Sequence, residues 1–196
     1  MKKFLTFSTF LIIIFLNISK AYSIEADIFV QSTVNRASEA LNNKFSKEEK
    51  MTKLREIANE TVDIKGIGFY TLGAYRKNIN DDQIKQYENL FEQYFLKSFV
   101  SRLAEYSNPE IEVVSKKKLN KNYTMVSSIL VSTEQRPKVK IDWRVYTKNV
   151  NNPLIRDLVI EGLSLARTQK EEFSSIIESN DGDINALFVT LKEFIK

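Results

Sequence analysis

The side chains that do most enzyme chemistry are scarce in this 196-residue chain, which contains no histidine and no cysteine. That leaves no Ser/His/Asp triad, no imidazole acid or base, no thiolate nucleophile, no disulfide and few ways to hold a transition metal. Catalysis would fall to carboxylates, Lys, Tyr or Ser. Asp142 and Asp157 lie in strand-like segments. Either is a candidate general base in an open, cone-shaped sheet, acting on a small hydrophobic molecule. Neither has a second acid at a recognisable spacing, so a surface or salt-bridge role is the simpler reading. Asp81, Asp82 and Glu88 have the types of a metal cluster, but the first two fall in the first turn of a helix, where the helix dipole alone favours negative charge. No catalytic residue, cofactor or metal site is expected.

A second feature that suggests chemistry is the stretch DIKGIGFYTLGAYRKNINDDQ, which begins at Asp63 and holds three of the five glycines. A dinucleotide loop needs a third glycine three residues after the second, where Thr71 stands, and a strand before it; a Walker loop needs Gly-Lys-Ser or Gly-Lys-Thr. Neither is present. Gly66, Gly68 and Gly73 are instead expected to let a short helix bend and sit close to a sheet, turning Phe69, Leu72 and Tyr75 inward.

The elements that must position these residues begin after an export segment. Lys2 and Lys3, an apolar run from Phe4 to Leu16 and the small-residue pattern Ala21, Tyr22, Ser23 have the layout of a secretory signal peptide. The apolar run is shorter than the roughly 20 residues that span a bilayer. Cleavage is expected after Ser23, leaving one domain over residues 24–196. The whole chain has 29 basic and 25 acidic residues; the first 23 hold three lysines and no acid, so the remainder is close to +1. A nearly balanced domain is not expected to bind nucleic acid. Lys116 to Lys118 with Lys121 reads as a solvated strand end.

Within that domain, residues 24–107 read as helical. Val30, Val34, Ala37, Leu41 and Phe45 form one stripe over residues 26–45. Ser46 with Glu49 makes a capping box for a second helix carrying Met51, Leu54, Ile57 and Ala58. Asp63 caps a short third helix, and Asn80 with Gln83 opens a fourth that runs to about Ser107, before Pro109. From 110 to 161 the period changes to two. Val139, Ile141, Trp143 and Val145 alternate with polar residues, and residues 110–119, 122–133 and 154–161 complete four antiparallel strands. Two amphipathic helices fill residues 163–196. The fold class is α+β, a four-stranded antiparallel sheet covered by about six helices.

The fourth helix carries apolar residues over roughly 220° of its circumference, more than one contact face requires. With the buried strand face it implies a hydrophobic cavity between sheet and helices. The order of motifs also resembles a known family. Tyr70-Thr-Leu-Gly-Ala-Tyr-Arg76, then Leu103-Ala-Glu-Tyr-Ser107, Ile141-Asp-Trp-Arg-Val145 and Asp157-Leu-Val-Ile-Glu-Gly-Leu-Ser-Leu165 look like the MlaC, or toluene-tolerance auxiliary, family of periplasmic phospholipid-binding proteins. Before Asp157 the chain carries Pro153 and Arg156, where that family often has Trp and Tyr. The resemblance covers nearly all of residues 24–196, and residues 157–165 are its most specific part.

It implies an NTF2-like fold that holds phospholipid acyl chains between sheet and helices. It also implies a periplasmic location and two docking partners, an inner-membrane ABC lipid transporter complex and an outer-membrane lipoprotein complex, in the maintenance of outer-membrane lipid asymmetry. A monomer is expected. The candidate lipid-binding residues are Phe69, Leu72, Tyr75, Phe91, Phe95, Phe99, Leu103, Ile129, Ile141, Trp143, Val145, Val159 and Leu163.

Overall fold

Three of the anticipated caps set the helical half of the molecule. Ser46 Oγ accepts the Glu49 amide at 3.2 Å while the Glu49 carboxylate accepts the Ser46 amide at 2.8 Å, and Asn80 and Gln83 repeat the exchange. Asp63 Oδ1 accepts the Gly66 amide at 2.9 Å. Each bond satisfies an amide that the first helical turn leaves without a partner. In the structure, a computed structural model that describes residues 24–134 and 137–196, the order is α1 (Ala26–Ala40), α2 (Lys47–Thr61), α3 (Ile64–Thr71), a 3₁₀ turn (Tyr75–Lys77) and α4 (Asp81–Leu103). The strands β1 (Ile111–Asn120), β2 (Tyr123–Leu130), β3 (Val139–Tyr146), β4 (Leu154–Ile160) and β5 (Leu163–Ser164) follow, and α5 (Leu165–Glu178) and α6 (Ile184–Ile195) close the chain. The expected export segment, residues 1–23, lies outside the described residues.

Two helices are shorter than their patterns suggest. α1 stops at Ala40, because the Asn42 side chain accepts the Lys44 amide at 3.0 Å and folds the backbone into a turn ahead of Phe45. α4 stops at Leu103, and the chain turns through Asn108 at φ 45°, one residue before Pro109.

The five strands form one antiparallel sheet in the order β1-β2-β3-β4-β5. The fifth strand, absent from the expectation, is the far arm of a tight hairpin. Glu161 (φ 49°) and Gly162 (φ 87°) supply the two left-handed residues that a two-residue turn of this hand requires. Registers are Val126 opposite Trp143 opposite Leu158, and Ser128 opposite Ile141 opposite Ile160. These residues therefore share the inner face, against α1 and α2. The alternate set, Ile129 opposite Lys140 and Asp142 opposite Val159, faces the other way.

The wide apolar arc of α4 has a different explanation from the one its sequence suggests. Its first half, with Tyr87, Leu90 and Phe91, packs into a filled core with α3, α5 and α6; its second half, with Leu96 and Val100, packs on α2. Tyr87 is fully enclosed there, its hydroxyl 2.7 Å from Thr71 Oγ1 and donating to Gly68 O at 3.2 Å, and burial raises its pKa well above the ordinary phenol value. Two contact faces account for much of the arc, and only the last turns of α4 approach the sheet side.

The glycines also act elsewhere than expected. A Cβ on Gly68 would lie 2.8 Å from Phe91 Cδ1, so the close approach this glycine allows is that of α3 to α4. Gly73, at φ 56°, takes the left-handed conformation that ends α3. Leu72 is thereby buried in the filled helical core, and Tyr75 packs at its edge with its hydroxyl 3.4 Å from Glu178.

Candidate functional site

Between the inner sheet face and the roof made by α1 and α2 the structure leaves a hollow of about 310 Å³. Its floor is Leu130, Val139, Ile141, Trp143, Leu158 and Ile160; its roof includes Val34, Ala37, Ile57 and Ala58; Phe99 and Leu103 of α4 form a side wall. The one strongly polar group of the floor is already used. Trp143 Nε1 donates to Ser128 Oγ at 2.7 Å, and that hydroxyl donates to Ile141 O at 3.2 Å. Among the described residues no buried side-chain nitrogen or oxygen lacks a hydrogen-bond partner. The cavity wall thus asks for no polar ligand, and hydrocarbon is the occupant that loses least on entering.

The hollow persists because small residues stand where a filled core would carry large ones. Ala37 continues the stripe of Val30 and Val34 in α1, and Ala58 lies beside Leu54 and Ile57 in α2. Toward the other end of the same sandwich Val30, Val126 and Val145 are fully buried against one another, with Ile155 at the boundary where the hollow begins. A volume of 310 Å³ falls at the lower end of the roughly 300–1,000 Å³ of ligand pockets.

A side chamber of about 170 Å³ adjoins it, lined by Phe91, Phe95, Phe99, Leu165 and the more polar Tyr94, Arg102, Asp157 and Gln169. Phe95 and Phe99 stack at 5.3 Å, and Tyr94 Oη donates to Gln169 at 2.8 Å. Burial, with the Glu172 charge second, raises the Tyr94 pKa above its ordinary value, making the phenol a weaker acid. Two wider grooves of about 470 and 660 Å³ open on the surface. Charged residues line them, among them Lys65 and Glu88 in one and Arg76, Arg144 and Arg156 in the other. Hydrocarbon in these grooves would desolvate charged side chains, so the smaller hollow with its mainly apolar lining is the candidate site.

The structure brings four of the candidate residues to the hollow: Phe99, Leu103, Ile141 and Trp143. Phe91, Phe95 and Phe99 face the side chamber. The others lie elsewhere. Phe69 borders the two surface grooves, and Leu72, Tyr75 and Val145 belong to packed cores. Ile129 and Val159 are corrected to the outer sheet face, since each is out of phase by one residue with the inward set. Leu163 is 59% exposed on the short edge strand. Sequence reasoning missed the roof residues Val34, Ala37, Ile57 and Ala58, although the two alanines in otherwise bulky stripes mark the place where space is left.

The two acids weighed as general bases have structural partners. Asp142, on the outer face, accepts the Ser127 hydroxyl at 2.5 Å and pairs with Lys140 at 2.9 Å. Asp157 accepts the Ala166 amide at 3.0 Å and the Ser164 hydroxyl at 2.7 Å, which holds the start of α5 against β4. Among the described residues no group of three or more acidic side chains could hold a metal ion.

This architecture has a solved counterpart. The phospholipid-binding protein of Ralstonia solanacearum, whose structure is of a complex with a phospholipid, superposes with a TM-score of 0.73 at 19% identity, over 88% of this chain and 97% of that one. At that identity the likeness speaks for the fold. The family model described as MlaC protein matches residues 31–193, which takes in the α1–α2 roof, the whole sheet and most of α6. A match over so much of the chain decides membership: the protein belongs to the MlaC family.

Proposed function

We propose that this protein is a periplasmic carrier that shelters the acyl chains of a phospholipid in the hollow between sheet and helices. The observation that carries this reading is the apolar-lined space of about 310 Å³ between the inner sheet face and the α1–α2 roof. Membership of the MlaC family and the phospholipid held by the Ralstonia relative support it. The lining would comprise Phe99, Leu103, Ile141 and Trp143 from the sequence reading, with Val34, Ala37, Ile57 and Ala58 added by the fold.

An exposed methylene costs about 0.8 kcal/mol in water, so two bare tails of about 30 methylenes cost about 24 kcal/mol. That cost makes unassisted passage of a phospholipid through water negligible. Moving a tail from bilayer to hollow exchanges one apolar environment for another and is close to neutral. Direction therefore comes from docking partners, an inner-membrane ABC transporter complex and an outer-membrane lipoprotein complex, and the shuttle would serve outer-membrane lipid asymmetry. Among the described residues no helix is long and apolar enough to cross a membrane, which fits a protein that moves between two of them.

Transfer of a labelled phospholipid between donor and acceptor vesicles tests the reading. The protein should speed transfer in proportion to its concentration. A rate equal to that of vesicles alone, with no lipid recovered on the protein, would overturn it.

A further inference from the structure

The large hollow and the side chamber are separated by a narrow partition. Phe99, Val62 and Leu158 line both spaces. Three residues after Phe99, Arg102 borders the side chamber; four residues after it, Leu103 borders the hollow. Offsets of three and four share one face of a helix, so Arg102 stands at the end of the ridge that divides the two apolar spaces. It is exposed, and among the described residues it makes no hydrogen bond or ion pair. The carboxylate on the same chamber, Asp157, is occupied by Ser164, Ala166 and, at 3.5 Å, Arg144.

We propose that Arg102 anchors the phosphodiester of a two-tailed lipid that straddles Phe99, with one acyl chain on each side. This rests on the lipid-binding reading above and adds to it a head-group contact. In such a lipid the tails diverge only a few bonds from the phosphate, so the anion lies where the two apolar spaces part. A guanidinium at that point offers a planar pair of N–H donors matched to two phosphate oxygens, and its exposure leaves the rest of the head group in water. A cation in the last turn of α4 also suits the helix dipole, a purely structural role that the test must separate.

The test compares phosphatidylglycerol with diacylglycerol of the same acyl chains, binding each to the wild-type protein, Arg102→Ala and Arg102→Lys. Arg102→Ala should weaken phosphatidylglycerol by about tenfold, as expected for loss of a charge-assisted contact, and leave diacylglycerol unchanged. Arg102→Lys should restore part of the loss. Tail-free glycerophosphoglycerol in large excess should leave the bound lipid in place, since the site lies where the tails enter and is not a free-phosphate site. Equal weakening of both lipids, no weakening of either, or displacement by the tail-free diester would overturn the assignment and leave the carrier reading standing. Wild-type protein that takes up neither lipid would overturn both.

Discussion

Substituting Phe for Ala37 and for Val30 separates an unfilled hollow from an ordinary core, because the two positions lie two turns apart on one stripe of α1. Val30 is fully buried among Val126, Val145 and Ile155, whereas Ala37 faces the open space. In the filled part, Val30→Phe must displace neighbours and should cost about 1–3 kcal/mol. At Ala37 the ring enters a void. Its burial returns up to about 1.5–3 kcal/mol, against a loss of helix propensity of about 0.5 kcal/mol. Lipid-free Ala37→Phe should therefore be as stable as the wild type within about 1 kcal/mol, or more stable, by urea unfolding. The same ring takes part of the 310 Å³ that a tail would use, so lipid recovered per mole of protein should fall. If Ala37→Phe loses as much stability as Val30→Phe, the space is not a hollow; if it keeps its full lipid content, the space is not where lipid sits.

Other substitutions test the frame around the hollow. Gly68→Ala places a Cβ 2.8 Å from Phe91 Cδ1 and should cost about 1–3 kcal/mol in chemical unfolding, because a buried ring between two helices has little room to move. Ser128→Ala removes the acceptor of the Trp143 indole N–H and should cost about 1–3 kcal/mol, with a shift in Trp143 fluorescence. Tyr87→Phe should cost only about 1 kcal/mol, since Thr71 Oγ1 keeps its bond to Gly68 O at 2.8 Å. The hydrogen bond from Lys116 holds the Asp27 carboxyl below its ordinary 3.8, so its contribution is full above that pH and is lost as pH falls through the lowered value. Hydrogen bonds to Glu25 and then Asp27 raise the Lys116 ammonium above 10.5, so its contribution is full below that pH and is lost as pH rises through the raised value. Protection of the first-turn amides of α1, taken relative to the intrinsic exchange rate at each pH, should fall at both extremes, and Lys116→Met should abolish both falls.

Capping boxes at Ser46 and Asn80 and the alternation from Val139 to Tyr146 were legible because each depends on residues within four positions of one another. The α+β layout followed from them. Side-chain phase across the sheet was less legible. Ile129 and Val159 are as apolar as their neighbours, and only the pairings with Lys140 and Asp142 fix which face they take. The partners of α4 were hidden for a similar reason. A broad apolar arc reads the same whether α5 and α6 cover it or a ligand does, and α5 lies more than 60 residues further along the chain. The roof was overlooked because an alanine in a helical stripe signals missing volume only once the opposing sheet is in place.

The most direct test is native mass spectrometry of the protein purified from exporting cells without detergent. A species heavier than the polypeptide by the mass of one intact phospholipid, diminished in Ala37→Phe, is the predicted result. A bare polypeptide mass that persists after incubation with phospholipid vesicles would contradict a carrier built around an apolar hollow.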